Sequence, residues 1–273
     1  MKLEDICLSH SLVEDAAESI PFFAIRFWWL GQAGFLVRCG DCLLAMDPYL
    51  TESAHRLVPP PWKAAEPLGL NAVLCSHNHS DHLDRPALPL VAKANPKCLF
   101  LVPAAEREAA LVPDMPADRV RGVNVGDVID LAPAVRVHVL ASAHEELAIN
   151  AQGEHHFLGF VLEMAGRRIY HSGDCVPYPG LADQLRKLKV DLALLPVNGR
   201  DEARHQRNII GNFTFDEAAA LCVQAGIPTL MADHFDMFAG NDVPRADLLK
   251  AAAKFEGRLQ CLLPEIGWRY EVR

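Results

Sequence analysis

Ser76-His77-Asn78-His79-Ser80-Asp81-His82 sets three histidines and an aspartate within six residues, in a chain of 273 residues with 12 histidines in all. In extended backbone, residues i and i+2 share one side. His77 and His79 can therefore reach one metal ion. Asp81 and His82 fall where the chain should turn, so they can point at a second ion nearby. Imidazole and carboxylate donors suit Zn, with Mn and Fe as alternatives. The bland alternative is a surface cluster of polar residues, which chance makes a poor explanation for four donors so close together.

The elements that must position this motif supply further donors. Ala72-Val-Leu-Cys75 reads as a short buried strand with the motif at its end. Open α/β sheets place their sites beyond the carboxyl ends of their strands, and three isolated residues downstream occupy such places. His144 follows a strand pattern over 135–141. Asp174 follows Ile169-Tyr-His-Ser-Gly173, where the glycine permits a tight turn. His234 follows Thr229-Leu-Met-Ala232. Neighbouring candidates have simpler readings. His138 lies inside an alternating strand, His155 and His156 sit by a Gly153-Glu154 turn, His171 packs or braces, and Cys175 reads as a small buried residue beside Asp174.

Strand patterns occupy 24–47 and 98–102, then 128–131, 135–141, 157–164 and 168–171. Beyond them, strands at 191–197, 229–232, 259–263 and 268–272 alternate with helices near 180–188, 214–226 and 244–255. Thr214-Phe-Asp-Glu217 has the spacing of a capping box. Helices are also expected over 5–19, 84–94 and 103–111, with a proline-rich loop over 48–70. Cys39-Gly-Asp-Cys42 has CxxC spacing without a second pair, and Gly-Asp between two apolar runs reads better as a β-hairpin turn. No repeat or linker divides the chain. It is read as one α/β (α+β) domain over 1–273, with a helical extension over 1–20 and with packed sheets covered by helices.

These residues carry a family resemblance. His77-x-His79-x-Asp81-His82, His144, Asp174 and His234 resemble, in order and spacing, the metal-binding motifs of the metallo-β-lactamase superfamily. The resemblance covers about residues 24–270 and implies a four-layer αββα sandwich with the site at one sheet edge. It implies that His77, His79 and His144 bind one divalent ion, that Asp81, His82 and His234 bind another, and that Asp174 bridges them. Asp47, before Pro48, matches a motif that braces the site. Trp29-Leu-Gly-Gln-Ala-Gly-Phe35, Tyr170-His-Ser-Gly-Asp174, Leu195-Pro-Val-Asn-Gly-Arg-Asp201, Gly211-Asn212 and His234-Phe-Asp-Met-Phe238 with Asn241 look like the branch that contains L-ascorbate-6-phosphate lactonase.

Two adjacent divalent ions can share a water and turn it into hydroxide at neutral pH. Asp81 is the candidate to orient that nucleophile and shuttle its proton, and Asp174 the second catalytic carboxylate. Selectivity must come from elsewhere. Asn198-Gly-Arg-Asp-Glu-Ala-Arg-His-Gln-Arg207 concentrates arginines, which pair with phosphate or carboxylate oxygens. Asn198 and Arg200 are therefore expected to bind substrate, with Asn212, Asp236 and Asn241 lining the pocket. The expected substrate is a small anionic lactone or ester. A phosphodiesterase or nuclease on the same centre, and a non-catalytic metal-binding protein, are the competing readings.

Composition narrows partners. Net charge is −9, with 26 basic and 35 acidic residues, which argues against a nucleic-acid or anionic-membrane surface. The longest apolar runs fall well short of the ~20 residues that span a bilayer, and the start lacks the layout of a signal peptide. A cytoplasmic protein is expected, its eight cysteines reduced and a homo-oligomer left open.

Overall fold

Alternation along Phe27-Trp28-Trp29-Leu30 sends successive side chains to opposite faces of a sheet. Phe27 and Trp29 enter one hydrophobic core, while Trp28 and Leu30 enter another. Two cores on two faces of one sheet require at least three layers. The computed structural model, which describes residues 3–272, shows four.

The first strands are β1 (Leu3–Cys7), β2 (Ile25–Gly31), β3 (Gly34–Cys39), β4 (Cys42–Met46), β5 (Ala72–Leu74), β6 (Leu99–Pro103) and β7 (Val120–Val123). There follow β8 (Val128–Ala132), β9 (Val135–Ala141), β10 (Leu158–Met164), β11 (Arg167–His171), β12 (Leu192–Pro196), β13 (Thr229–Asp233), β14 (Gln260–Leu262) and β15 (Trp268–Val272). One sheet runs β1-β15-β2-β3-β4-β5-β6-β7 and the other β14-β13-β12-β11-β10-β9-β8. The helices are α1 (Leu12–Ala17), α2 (Leu88–Ala94), α3 (Arg107–Ala110), α4 (Leu181–Leu188), α5 (Glu202–His205), α6 (Phe215–Ala225) and α7 (Arg245–Ala253). Leu12, Leu88 and Val91 bring α1 and α2 onto the outer face of the first sheet. Leu185, Cys222 and Leu248 bring α4, α6 and α7 onto the second. The result is the expected αββα sandwich.

Strand direction decides where the site forms. β4 to β7 are mutually parallel, as are β11 to β14. β9 and β11 both run antiparallel to β10, so they point the same way. The loops after β4, β5, β9, β11, β12 and β13 leave from carboxyl ends, the edge where such sheets place their sites. Helix starts agree with the local sequence. Thr214 caps α6 and Glu217 completes the capping box, as Ser11 and Glu14 do for α1. Cys39 pairs with Cys42 across the Gly40-Asp41 turn, with Gly40 at a positive φ of 54°. Both thiols are free and buried, and burial pushes Cys42 up to about 12.

Several elements differ from expectation. The helix expected over 5–19 is confined to α1, because residues 3–7 form β1 against β15, a partner more than 260 residues away in the chain. Residues 1, 2 and 273, at the ends of the expected domain and extension, lie outside the described residues. The helix expected over 103–111 is a 3₁₀ turn at Ala104–Glu106 followed by the four-residue α3, and that over 84–94 starts at Leu88. β7 and α5 carry no strong local signal. Among the described residues, no helix is long and apolar enough to cross a membrane.

Asp15, fully buried on α1, fastens that helix to the sheet. It accepts from Trp28 Nε1 of β2 at 2.8 Å and from Arg269 Nη1 of β15 at 2.7 Å. Asp15→Ala leaves the buried Trp28 indole N–H without its acceptor and takes from the partly buried Arg269 one of three carboxylates, the others being Glu18 and Glu271, and is expected to cost roughly 1–3 kcal/mol. Urea unfolding of the purified variant checks this, and a loss below about 1 kcal/mol would show that the clamp is dispensable.

Candidate metal centre

Each donor arrives from a strand end. β4 runs into Asp47, which takes a positive φ of 42° before Pro48. β5 runs into Ser76 and the histidine motif, which turns back through bonds from His82 N and Leu83 N to His79 O. β11 leads to Gly173, whose φ is 57° and where an added Cβ would lie 2.4 Å from Ser76 Cβ. Only glycine lets the Asp174 turn approach the histidine loop so closely. β9 leads to His144. β13 leads to His234, at φ 63°, whose N–H donates to Gln32 O at 2.9 Å.

The seven donors gather in two groups. Donor atoms of His77, His79, His144 and Asp174 lie within 4.8 Å of one another, and so do those of Asp81, His82 and His234. Asp174 faces both. Its Oδ1 is 3.2 Å from His82 Nε2 and 3.1 Å from His234 Nε2, and its Oδ2 is 3.6 Å from His144 Nε2. Asp81 Oδ2 is 3.8 Å from both His82 Nε2 and His234 Nε2. Buried polar atoms ordinarily have hydrogen-bond partners. His77 Nε2 is buried and has none, while His82 Nε2 and His234 Nε2 have only the Asp174 carboxylate before them. Ring nitrogens converging with carboxylate oxygens fit divalent cations such as Zn, Mn or Fe.

A second layer orients these donors. Asp47 is fully buried and accepts from Ser76 N at 2.7 Å and Ser76 Oγ at 2.6 Å. Its Oδ2 also meets His82 Nδ1 at 2.8 Å and His171 Nε2 at 2.9 Å. Burial alone would raise its pKa, yet the His82 and His171 imidazoles hold it well below the usual carboxylate range. With Nδ1 tied to Asp47, His82 turns Nε2 toward Asp174. Burial works against a charge on His82, but Asp174, Asp47 and Asp81 outweigh it and raise its pKa well above the ordinary value. Burial takes His77 and His144 the opposite way. His77 falls well below its ordinary value and His144 drops to about 4, despite the opposing charge of Asp174. Both therefore present neutral nitrogens near pH 7, the form that binds metal. Phe157, partly buried, packs against this pair, its ring 5.3 Å from that of His77 and 5.4 Å from that of His144.

Gln32 and Asp84 escaped sequence reasoning. Gln32 Nε2 donates to Asp81 Oδ2 at 2.7 Å and lies 2.9 Å from His234 Nε2. Asp84 accepts from Leu50 N and Thr51 N, both at 2.7 Å, and pins the loop after Asp47 to the histidine loop. The Trp29–Phe35 stretch held the only hint of Gln32. His171 braces, as expected. His138 sits 3.1 Å from Glu163 on the neighbouring strand. Cys175 is a core residue whose thiol burial pushes up to about 11.

The expected substrate residues divide. Asn198 links Asn241 and Asn212 in a chain of side-chain amides, each bond 3.0 Å. Arg200 is instead committed elsewhere. Its Nη1 and Nη2 grip Glu217 at 2.7 and 2.6 Å, and Nη1 also reaches Asn212 O. The capping glutamate of α6 thus consumes the charge expected to meet substrate. Asp236 receives Arg245 Nε at 3.2 Å, and Arg245 in turn holds Leu263 O and Pro264 O, so Asp236 orders a loop.

The sequence pattern of the beta-lactamase superfamily domain matches residues 41–235, a span that takes in Asp47 and all seven donors. The chain belongs to this superfamily. It is 29% identical over 196 residues to a metal-dependent hydrolase of Myxococcus xanthus, across 67% of this chain and 66% of that protein. It is 27% identical over 250 residues to a metal-dependent hydrolase of Thermoplasma acidophilum, across 91% of this chain and 99% of that protein. The matched stretch therefore spans slightly under two thirds of the Myxococcus relative and nearly all of the Thermoplasma one. A metallo hydrolase from the archaeon Ignicoccus hospitalis shares the fold, with a TM-score of 0.68 at 15% identity over 92% of this chain and 99% of that one.

Asp47→Ala frees the rings of His82 and His171. Loss of such an orienting partner weakens metal binding by about 10–100-fold. Competition between the protein and a chelator for Zn measures it, and unchanged affinity would remove Asp47 from the bracing role.

Proposed function

We propose that this chain is a metal-dependent hydrolase of small lactones or esters. In this reading His77, His79 and His144 hold one divalent cation, Asp81, His82 and His234 hold a second, and Asp174 joins them. The observation that carries it is the position of Asp174, with Oδ1 against His82 and His234 of one group and Oδ2 toward His144 of the other.

Adjacent divalent cations, when bound, lower the pKa of a shared water from about 15.7 toward about 7 and polarise the oxygen of the scissile bond. The protein supplies direction. Asp81 is the more accessible of the two central carboxylates, with its side chain 19% exposed against 6% for Asp174. The Gln32 amide fixes its Oδ2, so Asp81 is held in place to orient the attacking water and receive its proton. Asp174, more deeply buried, has its charge held by His234 and His82 against the effect of burial, and its role is to bind. Phe157 packs against the buried rings of His77 and His144 and gives that side of the site an apolar wall. The acidic balance of the chain favours a small-molecule substrate over a nucleic acid.

The test is metal-loaded protein against a panel of lactones, carboxylic esters, sugar phosphates and phosphodiesters, with metal content measured in parallel. Asp81→Asn is expected to lower kcat by about 10²–10⁴-fold, the usual contribution of proton transfer by a positioned side chain, while the fold remains. Turnover of phosphodiesters alone would transfer the assignment to the phosphodiesterase reading. Full metal occupancy without turnover of any class would leave a metal-binding protein.

A further inference from the structure

Three loops rise from the metal-bearing edge and enclose a cleft of about 440 Å³, lined by His55, Arg56, Leu57, Ile209, Phe238 and Asn241 among others. The first continues from Asp47, the second leaves β12, and the third continues directly from His234. They are fastened together. Leu57 N donates to Met237 O at 2.8 Å, Arg56 and Phe238 form an isolated bridge, and Asn198 Nδ2 donates to Asn241 Oδ1. The cleft is therefore walled by loops that continue from the strand ends of Asp47, β12 and His234.

Arg56 is the unusual residue in it. Its guanidinium lies over the Tyr49 ring at 4.5 Å, and Nη1 and Nε are spent on Tyr49 O and Val58 O at 2.9 and 3.0 Å. These contacts fix the plane of the fork. The remaining nitrogen, Nη2, is buried without a hydrogen-bond partner. Among the described residues no carboxylate forms an ion pair with this half-buried cation. Asp84 acts on it without forming an ion pair, and that carboxylate is already occupied by the Leu50 and Thr51 amides. A cation withdrawn from water and left unpaired costs free energy, and an anion at a fixed fork recovers it. The alternatives on this rim are poorer. Arg200 and Arg204 are neutralised by Glu217 and Asp201, and Arg207 is exposed and faces Gly240 O. The neighbouring cleft beside Glu145, Asp201 and Glu202 would repel an anion.

We infer that this cleft is an anion-binding subsite in which Arg56, backed by Tyr49, anchors a carboxylate or phosphate group on the non-reacting end of the substrate. The inference rests on the hydrolase reading only for the word substrate. Anion binding itself needs neither metal nor turnover.

The test uses metal-free full-length protein titrated with inorganic phosphate and, separately, acetate, at ionic strength held constant with sodium chloride, with thermal melting as the readout. At least one anion is expected to raise Tm saturably, and whichever binds tighter tells phosphate from carboxylate. Arg56→Gln is expected to weaken that binding by about tenfold or more, and Arg56→Lys, which keeps charge without the fork, by less. In the metal-loaded enzyme Arg56→Gln is expected to raise KM for an anionic substrate by about tenfold with kcat nearly unchanged, and to leave the uncharged analogue unaffected. No saturable stabilisation of the unaltered protein, or equal stabilisation of Arg56→Gln, overturns the subsite. Should Arg56→Gln fail to fold, the Lys variant decides in its place, and anion binding by it as tight as in the unaltered protein overturns the role of the fork. Binding that depends on Arg56 in a protein that hydrolyses nothing upholds the subsite and overturns the hydrolase reading alone.

Discussion

One buried carboxylate holds this molecule's chemistry together. Asp47 hangs from the end of β4, reaches across to the histidine loop after β5, and crosses to His171 at the end of β11 in the other sheet. An isolated carboxylate in an apolar interior would cost on the order of tens of kcal/mol. Here both oxygens accept hydrogen bonds, and two imidazoles share the charge. That compensation depends on both sheets holding their relative positions within a fraction of an ångström. The sandwich and its site are thus mutually dependent: sheet packing makes the charge tolerable, and the charge fixes the rings that face the centre.

The loops above the centre follow a similar logic at lower energy. Asn198, Asn212 and Asn241 pass one amide chain across three segments. Arg204 and Arg207 hold carbonyls of Asp242 and Gly240, which joins the loop after β12 to the loop after β13. Cations that look available in the sequence are largely employed as fasteners. The rim is consequently stiffer than its polar composition implies, and Arg56 stands out because its charge is unmatched.

Much of this was legible in the sequence, for identifiable reasons. His77, His79, Asp81 and His82 sit together in the chain, so local spacing alone exposes them. His144, Asp174 and His234 are separated, but each follows a strand pattern, and parallel strands deliver their carboxyl ends to one edge. The Thr214–Glu217 box and the Cys39–Cys42 hairpin are local devices and formed where expected. What stayed hidden depends on partners distant in the chain. β1 is a strand only because β15 pairs with it. Arg200 carries a charge that suits an anionic substrate, and nothing local reveals that Glu217, 17 residues on, takes it. Gln32 touches Asp81 and His234 through a turn whose residues carry no chemical signature by themselves.

The order of strands also bears on how the chain is made. β15 lies between β1 and β2, so residues 3–7 have no strand to pair with until residues 268–272 have been made as well. Throughout synthesis the flank of β2 is an open edge with unsatisfied amides and carbonyls, the kind of surface that templates unwanted pairing. Residues 3–7 must therefore wait for a partner more than 260 residues further along the chain, and insertion of β15 is what covers this flank of β2.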